Sequence, residues 1–387
     1  MYSLSVNGFL QLQVFTDVWL QKRKAVYMDK KLSLLILFGG VSQEHEVSCI
    51  SAASVLEHID SSRYEINTIG ITKEGNWFLT SSPAVHIRNG SWTDYPGNRR
   101  AVLVPDRSTG GILAESDDGK FDVISVDVVF PVLHGRNGED GTMQGLLQLA
   151  GIPFVGSDAA SSAASMDKAI TKAMVEQAGG VCQARCDVIH RKEFESDPEG
   201  EAEAVLDFFN GELPLFVKPA NAGSSVGISK VKKKEDLKEA LRFAFHEDDK
   251  VLVEETVTGR EIEVAVLGNE EPEASCIGEI FAANEFYDYN AKYENEKSET
   301  GIVKDLEPEK EKEIRDAALA VYRIMGCRGL ARVDFFLKES GRVVFNEINT
   351  LPGFTHISMY PKLWEASGLH YSELIDRLIM LALETGN

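Results

Sequence analysis

The chain has 387 residues, which is more than one ordinary hydrophobic core holds, so two or three domains are expected. Hydrophobic residues make up 43% of the sequence, as in a globular protein. The formal net charge of −21 disfavours nucleic acid and anionic membranes as partners, because neutralising phosphates requires a basic surface. Any phosphate group would have to be bound by a few local Lys and Arg side chains and backbone N–H groups.

Cysteine usage and the N-terminal sequence bear on the compartment. The five cysteines are odd in number and scattered, which indicates a reduced, cytoplasmic protein rather than a disulfide framework. No apolar run approaches the ~20 residues that a membrane-spanning helix requires. The apolar residues 9–20 precede the basic residues 22–24, whereas a secretory signal has the opposite order. This order argues against a secretory signal. We interpret residues 1–31 as a poorly ordered N-terminal extension, because the sequence that carries the motifs described below begins only at about Leu32.

The first predicted element is a strand over residues 32–38, a near-continuous apolar run typical of a parallel sheet buried on both faces. Two glycines turn the chain, and Ser42 is suited to cap a helix that starts near Gln43. The first turn of this helix contains Glu44, which either only stabilises the helix N-terminus or binds a cationic group of a substrate. The dinucleotide fingerprint G-x-G-x-x-G is absent.

Turn-rich sequence over residues 72–119 predicts hairpins and loops, and residues 121–133 predict a strand. A helix is predicted over residues 142–150, and Glu139 is interpreted as an acid at its start. The loop after the strand begins with His134. Because α/β folds place ligands at the carboxyl ends of parallel strands, His134 is either a binding residue or a solvated histidine.

Two lysines have positions that suggest anion binding. Lys168 lies in the first turn of a predicted helix, where a cation is unfavourable unless it is solvated or contacts an anion. Lys218 ends an apolar strand and leads into a Gly/Ser loop over residues 221–227, which can present backbone N–H groups to an anion. The P-loop motif is missing. Two further strands carry Glu254 and Glu261, which alone are typical of surface acids.

Residues 286–293 are dense in aromatic side chains whose spacing fits neither a helix nor a strand packed in a core. A lid that closes over a site and excludes water fits this segment better. Amphipathic helices are predicted over residues 307–325 and 371–383.

Residues 330–338 and 342–349 predict two strands, since β-branched and aromatic residues dominate both. A two-residue loop, Ser340-Gly341, is predicted to join them as a hairpin. Counting back from this loop pairs position 334 with 347 and position 332 with 349, all on one face of the sheet. The four polar side chains on this face are Arg332, Asp334, Glu347 and Asn349.

Asp334 and Glu347 would have Cβ atoms roughly 5 Å apart, and two such carboxylates repel each other. A divalent cation converts this repulsion into binding. Two carboxylates and the amide oxygen of Asn349 are ligands that hold Mg²⁺ while substrate phosphates complete its coordination shell. The alternative is a solvated acidic face on an edge hairpin.

Several long motifs, in the same order, resemble those of D-alanine–D-alanine ligases within the ATP-grasp superfamily. They are Gly-Gly-x-Ser-x-Glu-His-Glu-Val-Ser from Gly39, Leu-His-Gly-x-x-Gly-Glu-Asp-Gly from Leu133, Arg332-x-Asp334, Asn346-Glu-Ile-Asn-Thr-Leu-Pro-Gly-Phe-Thr and Ser358-Met-Tyr-Pro. The resemblance runs from about Leu32 to about Leu383. It implies an N-terminal parallel-sheet α/β domain over residues 32–157 and two α+β domains, over 158–253 and 254–387, that sandwich ATP.

The resemblance also implies a reaction and its residues. Two D-alanines would be joined at the expense of ATP, through an acyl phosphate, for peptidoglycan precursor synthesis by a cytoplasmic homodimer. Two Mg²⁺ or Mn²⁺ ions would bind at Asp334, Glu347 and Asn349. The matching ATP-binding positions are Lys168, Lys218, Ser225, Glu254, Glu261 and Lys292. The matching substrate-binding positions are Glu44, His134, Arg332, Ser358 and Met359, and the matching catalytic positions are Glu44, Ser224, Tyr293, Arg332 and Gly353.

Three alternatives remain open on the sequence. A D-alanine–D-lactate ligase would have a lid sequence different from residues 287–293 here. Another ATP-grasp carboxylate–amine ligase would lack the combination of Glu44, Ser224 and Tyr293. A nucleotide-binding regulatory protein without turnover would be indicated by the loss of a metal carboxylate, and none is lost.

Overall fold

The computed structural model describes residues 31–223, 226–281 and 299–385. Three β-sheets, with helices packed against them, form a mixed α/β fold, as predicted. The predicted lid and all but one residue of the predicted N-terminal extension lie outside the described residues, as do Ser224, Ser225, Lys292 and Tyr293. Within the described ranges, no helix combines the length and apolar character needed to cross a membrane.

The first sheet has seven strands in the order β6-β5-β4-β3-β2-β1-β7. The parallel strand pairs of this sheet are β1 with β2 and β1 with β7. Leu34–Phe38 of β1 are fully buried, as a strand covered on both faces requires. The strands are β1 Leu32–Gly39, β2 Tyr64–Ile71, β3 Trp77–Thr80, β4 Arg99–Leu103, β5 Gly111–Glu115, β6 Phe121–Ser125 and β7 Val128–Val132, and the helices α1 His45–His58, α2 Ala84–Arg88 and α3 Thr142–Ala150.

The single strand predicted over residues 121–133 is wrong. This segment forms two strands at opposite edges of the sheet, since β6 pairs with β5 whereas β7 pairs with β1. The first strand ends before Asp127, where the chain bends. The Asp127 backbone N–H donates to the Ser33 carbonyl and its carboxylate accepts the Ser33 N–H, both at 2.8 Å. Val126 and Val128 flank Asp127, so the sequence pattern did not reveal the bend.

The second sheet has four antiparallel strands in the order β10-β9-β11-β8. Its core packs Val205 and Leu241 of two helices against Val217 and Val253 of the central strands. The elements are α4 Ala159–Met166, α5 Lys168–Ala178, β8 Cys186–His190, α6 Arg191–Ser196, α7 Pro198–Phe208, β9 Leu215–Pro219, β10 Ser229–Val231, α8 Leu237–Ala244 and β11 Lys250–Glu255.

The third sheet has five antiparallel strands in the order β14-β13-β12-β15-β16. One face packs against α9, and the opposite face packs against α10 and α11. The elements are β12 Arg260–Gly268, β13 Glu273–Phe281, β14 Glu299–Ile302, α9 Pro308–Ile324, β15 Gly329–Leu337, β16 Val343–Asn349, α10 Met359–Ala366 and α11 Tyr371–Glu384.

Helix α11 joins the first and third sheets. Leu374 and Ile375 on this helix belong to the same hydrophobic cluster as Leu34 and Ile36 of β1. The Tyr64 hydroxyl of β2 also donates a hydrogen bond to a carboxylate on α11. This shared core therefore holds the first sheet and the third sheet against each other.

The β15–β16 hairpin has the predicted cross-strand pairs, although its loop differs from the predicted one. The loop has three residues rather than two, since the Lys338 N–H donates to the Arg342 carbonyl across residues 339–341. Gly341 adopts a φ of +80°, which glycine tolerates. A bulge at Asn346 then adds one residue to β16 and restores the register. The predicted cross-strand pairs, 334 with 347 and 332 with 349, are therefore confirmed.

Candidate active site

A cleft of about 1360 Å³ is lined by residues from all three sheets and their loops. Every predicted site residue that the structure describes lines this one cleft, although the motifs span more than 300 positions of sequence. These residues are Glu44, His134, Lys168, Lys218, Glu254, Glu261, Arg332, Asp334, Glu347, Asn349, Gly353, Ser358 and Met359.

The opposed carboxylates of Asp334 and Glu347 lie on the cleft face of the β15–β16 hairpin. Asn349 donates its side-chain N–H to Asp334 at 3.1 Å, so the amide lies beside the same carboxylate. Within the described part of the chain, no group of three or more His, Cys, Asp or Glu side chains could hold a metal. Two carboxylates and one amide instead fit a hard cation that takes its remaining ligands from phosphates and water.

Arg332 is the cation beside the carboxylates on this face of the sheet. Its guanidinium donates two hydrogen bonds to Asp334, at 2.8 and 2.7 Å, and lies 3.1 Å from the Glu263 carboxylate. Burial alone would lower the pKa of Arg332, but the two neighbouring carboxylates raise it well above its usual value. A permanently charged, preorganised guanidinium therefore faces the cleft.

A buried cluster of two lysines and one carboxylate is formed where α5, β9 and β11 meet. The Glu254 carboxylate is 2.6 Å from the Lys218 ammonium and 2.9 Å from that of Lys172, and all three side chains are buried. Burial would raise the pKa of Glu254, but the two cations lower it to about 2. Burial also lowers the pKa of Lys218, which the Glu254 charge opposes. The cluster has one excess positive charge if both lysines are protonated, which suits an anionic ligand.

Lys172 is a residue that the sequence reasoning missed. It lies four residues after Lys168 on α5, and this spacing places both side chains on the same helix face. That spacing was the available signal. Lys168 itself is the first residue of α5 and donates to the Ala222 carbonyl at 2.8 Å, while its ammonium is 3.7 Å from the Glu347 carboxylate. Lys168 therefore connects the Gly/Ser loop to the opposed carboxylates.

Glu44 is placed by the turn between β1 and α1. Helix α1 starts at His45, two residues later than predicted, and the Ser42 hydroxyl accepts the Glu44 N–H at 3.1 Å. A Cβ atom on Gly135 would lie 2.6 Å from Glu44 Oε2, and one on Gly223 would lie 3.1 Å away. The Glu44 carboxylate therefore fits between two glycines, one in the first sheet's loop and one at the Gly/Ser loop.

Glu139 also lies in the cleft, which corrects its interpretation as a helix-start acid. Helix α3 begins at Thr142, whereas the largely buried Glu139 carboxylate accepts the Gly135 N–H at 2.9 Å. Burial raises the pKa of Glu139 to about 8, with a further contribution from the nearby Glu44 charge. The sequence did not reveal this burial, because acids before a helix are ordinarily solvated.

The segment after β16 forms the far wall of the cleft. A Cβ atom on Gly353 would lie 3.0 Å from the Ser358 hydroxyl, which also accepts the Thr355 N–H at 3.1 Å. Met359 packs towards β13, where a Cβ atom on Gly278 would come within 2.6 Å of its sulfur. Both glycines therefore leave room for residues at the N-terminus of α10.

Comparisons with known proteins identify the family. A family model described as "D-ala D-ala ligase N-terminus" matches residues 33–157, and one described as "D-ala D-ala ligase C-terminus" matches residues 165–380. The chain belongs to the D-alanine–D-alanine ligase family. The predicted family, fold class and ligase activity are therefore confirmed, and the chain is an ATP-dependent ligase of a family that makes peptidoglycan precursors.

Individual relatives match over nearly their whole length. A D-alanine–D-alanine ligase of Acetivibrio thermocellus is 48% identical over 373 residues, covering 93% of this chain and 98% of that protein. D-alanine–D-alanine ligase B of Clostridium tetani is 48% identical over 358 residues, covering 92% of this chain and 94% of that protein.

Two solved structures are similar in fold as well as sequence. The VanG D-Ala:D-Ser ligase from Enterococcus faecalis has a TM-score of 0.81 and 41% identity, and the match covers 91% of this chain and all of that one. The D-alanine–D-alanine ligase from Coxiella burnetii has a TM-score of 0.79 and 35% identity, covering 92% of this chain and 95% of that one.

We expect Lys172→Met to destabilise the ligase by about 1–3 kcal/mol at neutral pH, because the buried Glu254 loses one of two cations. The lowered pKa of Glu254 adds stability above its unfolded value of 4.5, and this stability is lost as the pH falls towards 2. The difference between variant and wild type should therefore shrink as the pH falls. Urea unfolding at pH 7 and pH 3 measures it, with Lys192→Met, at an exposed position, as the control. An equal difference at both pH values would contradict the expectation.

The raised pKa of Glu139 predicts that its contribution to the stability of the fold decreases as the pH rises. Between pH 4.5 and 8 the folded ligase keeps a proton on Glu139 that the unfolded chain releases. Relative to Glu139→Gln, wild-type stability should therefore decrease as the pH rises through this range, by at most about 1.4 kcal/mol per pH unit. Urea unfolding of both proteins from pH 5 to 9 tests this. Parallel stability curves would show that Glu139 ionises normally.

Proposed function

We propose that this ligase joins two D-alanines to form D-alanyl-D-alanine, with ATP converted to ADP and phosphate through an acyl phosphate. The observation that supports this most strongly is the single cleft in which a buried lysine cluster, two opposed carboxylates and a buried arginine lie together. Phosphoryl transfer needs positioning and charge stabilisation more than covalent help from the protein, and these groups supply both.

In the first step, a carboxylate oxygen of the first D-alanine attacks the γ-phosphorus of ATP, and ADP leaves. Lys168, Lys218 and Lys292 bind the phosphate oxygens. Mg²⁺ or Mn²⁺ ions, two when the site is full, would be held by Asp334, Glu347 and Asn349 and neutralise the β- and γ-phosphate charge.

The remaining ATP contacts follow the same assignment. Ser225 is assigned to ATP binding, and Glu261 accepts hydrogen bonds from the ribose hydroxyls. Glu254 lies at the adenine end, where its pairing with Lys218 and Lys172 fixes its position. These groups orient the nucleotide so that its γ-phosphate meets the substrate carboxylate.

In the second step, the amine of the second D-alanine attacks the acyl carbonyl carbon and loses a proton, and the tetrahedral intermediate expels phosphate. The developing oxyanion is stabilised by the Arg332 guanidinium and the Gly353 N–H. Ser358 and Met359 bind the second D-alanine. This assignment agrees with the position of Gly353 directly beside the Ser358 hydroxyl.

The first D-alanine is bound at the opposite wall. Glu44 holds its ammonium group, and His134 lies beside its carboxylate. Ser224 and Tyr293 are assigned, together with Glu44, to the closure of the site, and closure keeps water from the acyl phosphate.

At the level of the whole chain, we propose a substrate domain over residues 32–157 and two domains, over 158–253 and 254–387, between which ATP binds. The functional form is a cytoplasmic homodimer. It has no nucleic-acid or membrane partner, in keeping with the net charge of −21.

Phosphate release with ATP and Mg²⁺, combined with mass identification of the product, tests the substrate assignment. D-alanine alone should yield phosphate and the dipeptide. Parallel reactions contain D-alanine with D-lactate or with D-serine, the latter because a D-Ala:D-Ser ligase is among the similar structures. Phosphate that appears only with D-lactate or D-serine would overturn the assignment of D-alanine to the second site.

A further inference from the structure

The segment Leu351–Phe354 carries Gly353 but belongs to no helix or strand. Its position is therefore set by contacts with other parts of the chain. Two such contacts come from the first sheet's side of the cleft. His134 Nδ1 lies 3.0 Å from the Leu351 carbonyl oxygen, and the Phe354 N–H donates to the Ser51 hydroxyl at 3.4 Å.

Ser51 connects these two contacts to each other. It lies on α1, is fully buried, and its Oγ is 3.1 Å from His134 Nε2. The three groups thus form a closed circuit around the segment. The circuit runs from the segment to His134, from His134 to Ser51, and from Ser51 back to the segment two residues after Pro352.

The hydrogens in this circuit can be assigned from its acceptors. A carbonyl oxygen only accepts, so His134 must carry a proton on Nδ1 to bond with Leu351. In the neutral ring Nε2 is then an acceptor, and the Ser51 hydroxyl donates to it while its oxygen accepts the Phe354 N–H. Burial lowers the pKa of His134, which agrees with a neutral ring.

We propose that Ser51 is a positioning residue for the ligation, because its hydroxyl fixes the His134 tautomer and the Leu351–Phe354 segment and so aims the Gly353 N–H at the reacting carbonyl. This inference rests on the proposed function only through the role of Gly353. It also gives His134 a second role. Both of its ring nitrogens form hydrogen bonds with the protein. The ring therefore holds the Leu351–Phe354 segment on the opposite wall of the cleft, in addition to lining its own wall.

A purely structural role for Ser51 makes different predictions, and α1 supplies a matched control. Ser54 is also fully buried on this helix, but its hydroxyl donates to the Ile50 carbonyl of its own helix at 3.0 Å. Ser54→Ala and Ser51→Ala therefore remove the same atom from equally buried positions of one helix. Only the second change removes a contact to the segment that carries Gly353.

The experiment compares steady-state kinetics of Ser51→Ala, Ser54→Ala, His134→Gln and the double variant Ser51→Ala/His134→Gln, using ATP and D-alanine. Ser51→Ala should lower kcat about 10- to 100-fold, because one oxyanion donor is misaligned. The KM for ATP should not change. Ser54→Ala should keep the wild-type kcat. If Ser51 acts through His134, the double variant should be no slower than His134→Gln alone.

Two results would overturn the inference. One is equal kcat for Ser51→Ala and Ser54→Ala at matched unfolding midpoints, and the other is a double variant whose loss is the product of the single losses. Nitrogen NMR of the His134 ring in wild-type protein gives an independent test. The Nδ1–H tautomer is expected, and the Nε2–H tautomer would contradict the circuit. If wild-type protein forms no dipeptide, the proposed function fails, whereas the tautomer still decides whether Ser51 positions the ring.

Discussion

Replacing Glu347 by Gln should lower kcat about a hundredfold to a thousandfold while leaving the fold intact. Glu347 and Asp334 face each other across the β15–β16 hairpin, and this opposition is unfavourable unless a cation lies between them. Removing one charge relieves the repulsion, and this gain offsets the loss of the 3.7 Å ion pair with Lys168, so the stability of the resting protein should change little. The Mg²⁺ ion that Glu347 would help to hold, however, would lose one of its ligands, and the charge that develops on the transferring phosphate would be less well neutralised.

Glu347 is a cleaner target than Asp334, because Asp334 also forms two hydrogen bonds with Arg332 in the resting protein. Steady-state kinetics over a Mg²⁺ series measures the effect, and the half-saturating Mg²⁺ concentration should rise together with the loss of kcat. Glu339→Gln makes the same change at an exposed loop position of the same hairpin and should behave as wild type. Normal Mg²⁺ dependence in Glu347→Gln would remove this residue from the metal site.

Replacing Arg332 by Met should cost both stability and activity. The buried carboxylates of Asp334 and Glu263 would lose the cation between them, which typically destabilises a protein by about 3–5 kcal/mol. Turnover should fall about a hundredfold or more, since Arg332 is also a proposed donor to the oxyanion. Urea unfolding at neutral pH and steady-state kinetics measure the two effects separately.

Arg332→Lys separates these two roles. A lysine keeps the charge between the carboxylates, so most of the stability should return. It lacks the planar pair of donors that the guanidinium presents, so kcat should stay well below that of wild type. Recovery of both properties in Arg332→Lys would show that only the charge matters. An Arg332→Met protein as stable as wild type would contradict the assigned burial cost.

The sequence was sufficient to predict which four polar side chains share the cleft face of the β15–β16 hairpin, because alternation in a strand is a strong constraint. Arg332 and Asp334 on one strand, and Glu347 and Asn349 on the next, had to share a face once the two strands were paired. The predicted loop was one residue too short, and the bulge at Asn346 compensated for this error. The correct register was thus reached through two unpredicted features that cancel.

Other parts of the site depend on contacts between distant segments, and no local pattern encodes them. Glu139 has the sequence context of a solvated helix-start acid, yet the packing of the first sheet's loop buries it. Lys172 has an ordinary helical position, and only β11 places Glu254 against it. The turn at Asp127 was hidden because the residues on both sides of it are apolar. In each case tertiary packing, rather than local propensity, determines the outcome.

The most direct test of the proposed mechanism follows the oxygen atoms. The ligase is supplied with ATP, Mg²⁺ and D-alanine carrying ¹⁸O in its carboxylate, and the released phosphate is analysed by mass spectrometry. If the carboxylate is phosphorylated before the amine attacks, each phosphate released in dipeptide synthesis carries one ¹⁸O atom from D-alanine. Dipeptide formation with unlabelled phosphate would contradict the acyl phosphate and the roles assigned to the residues around it.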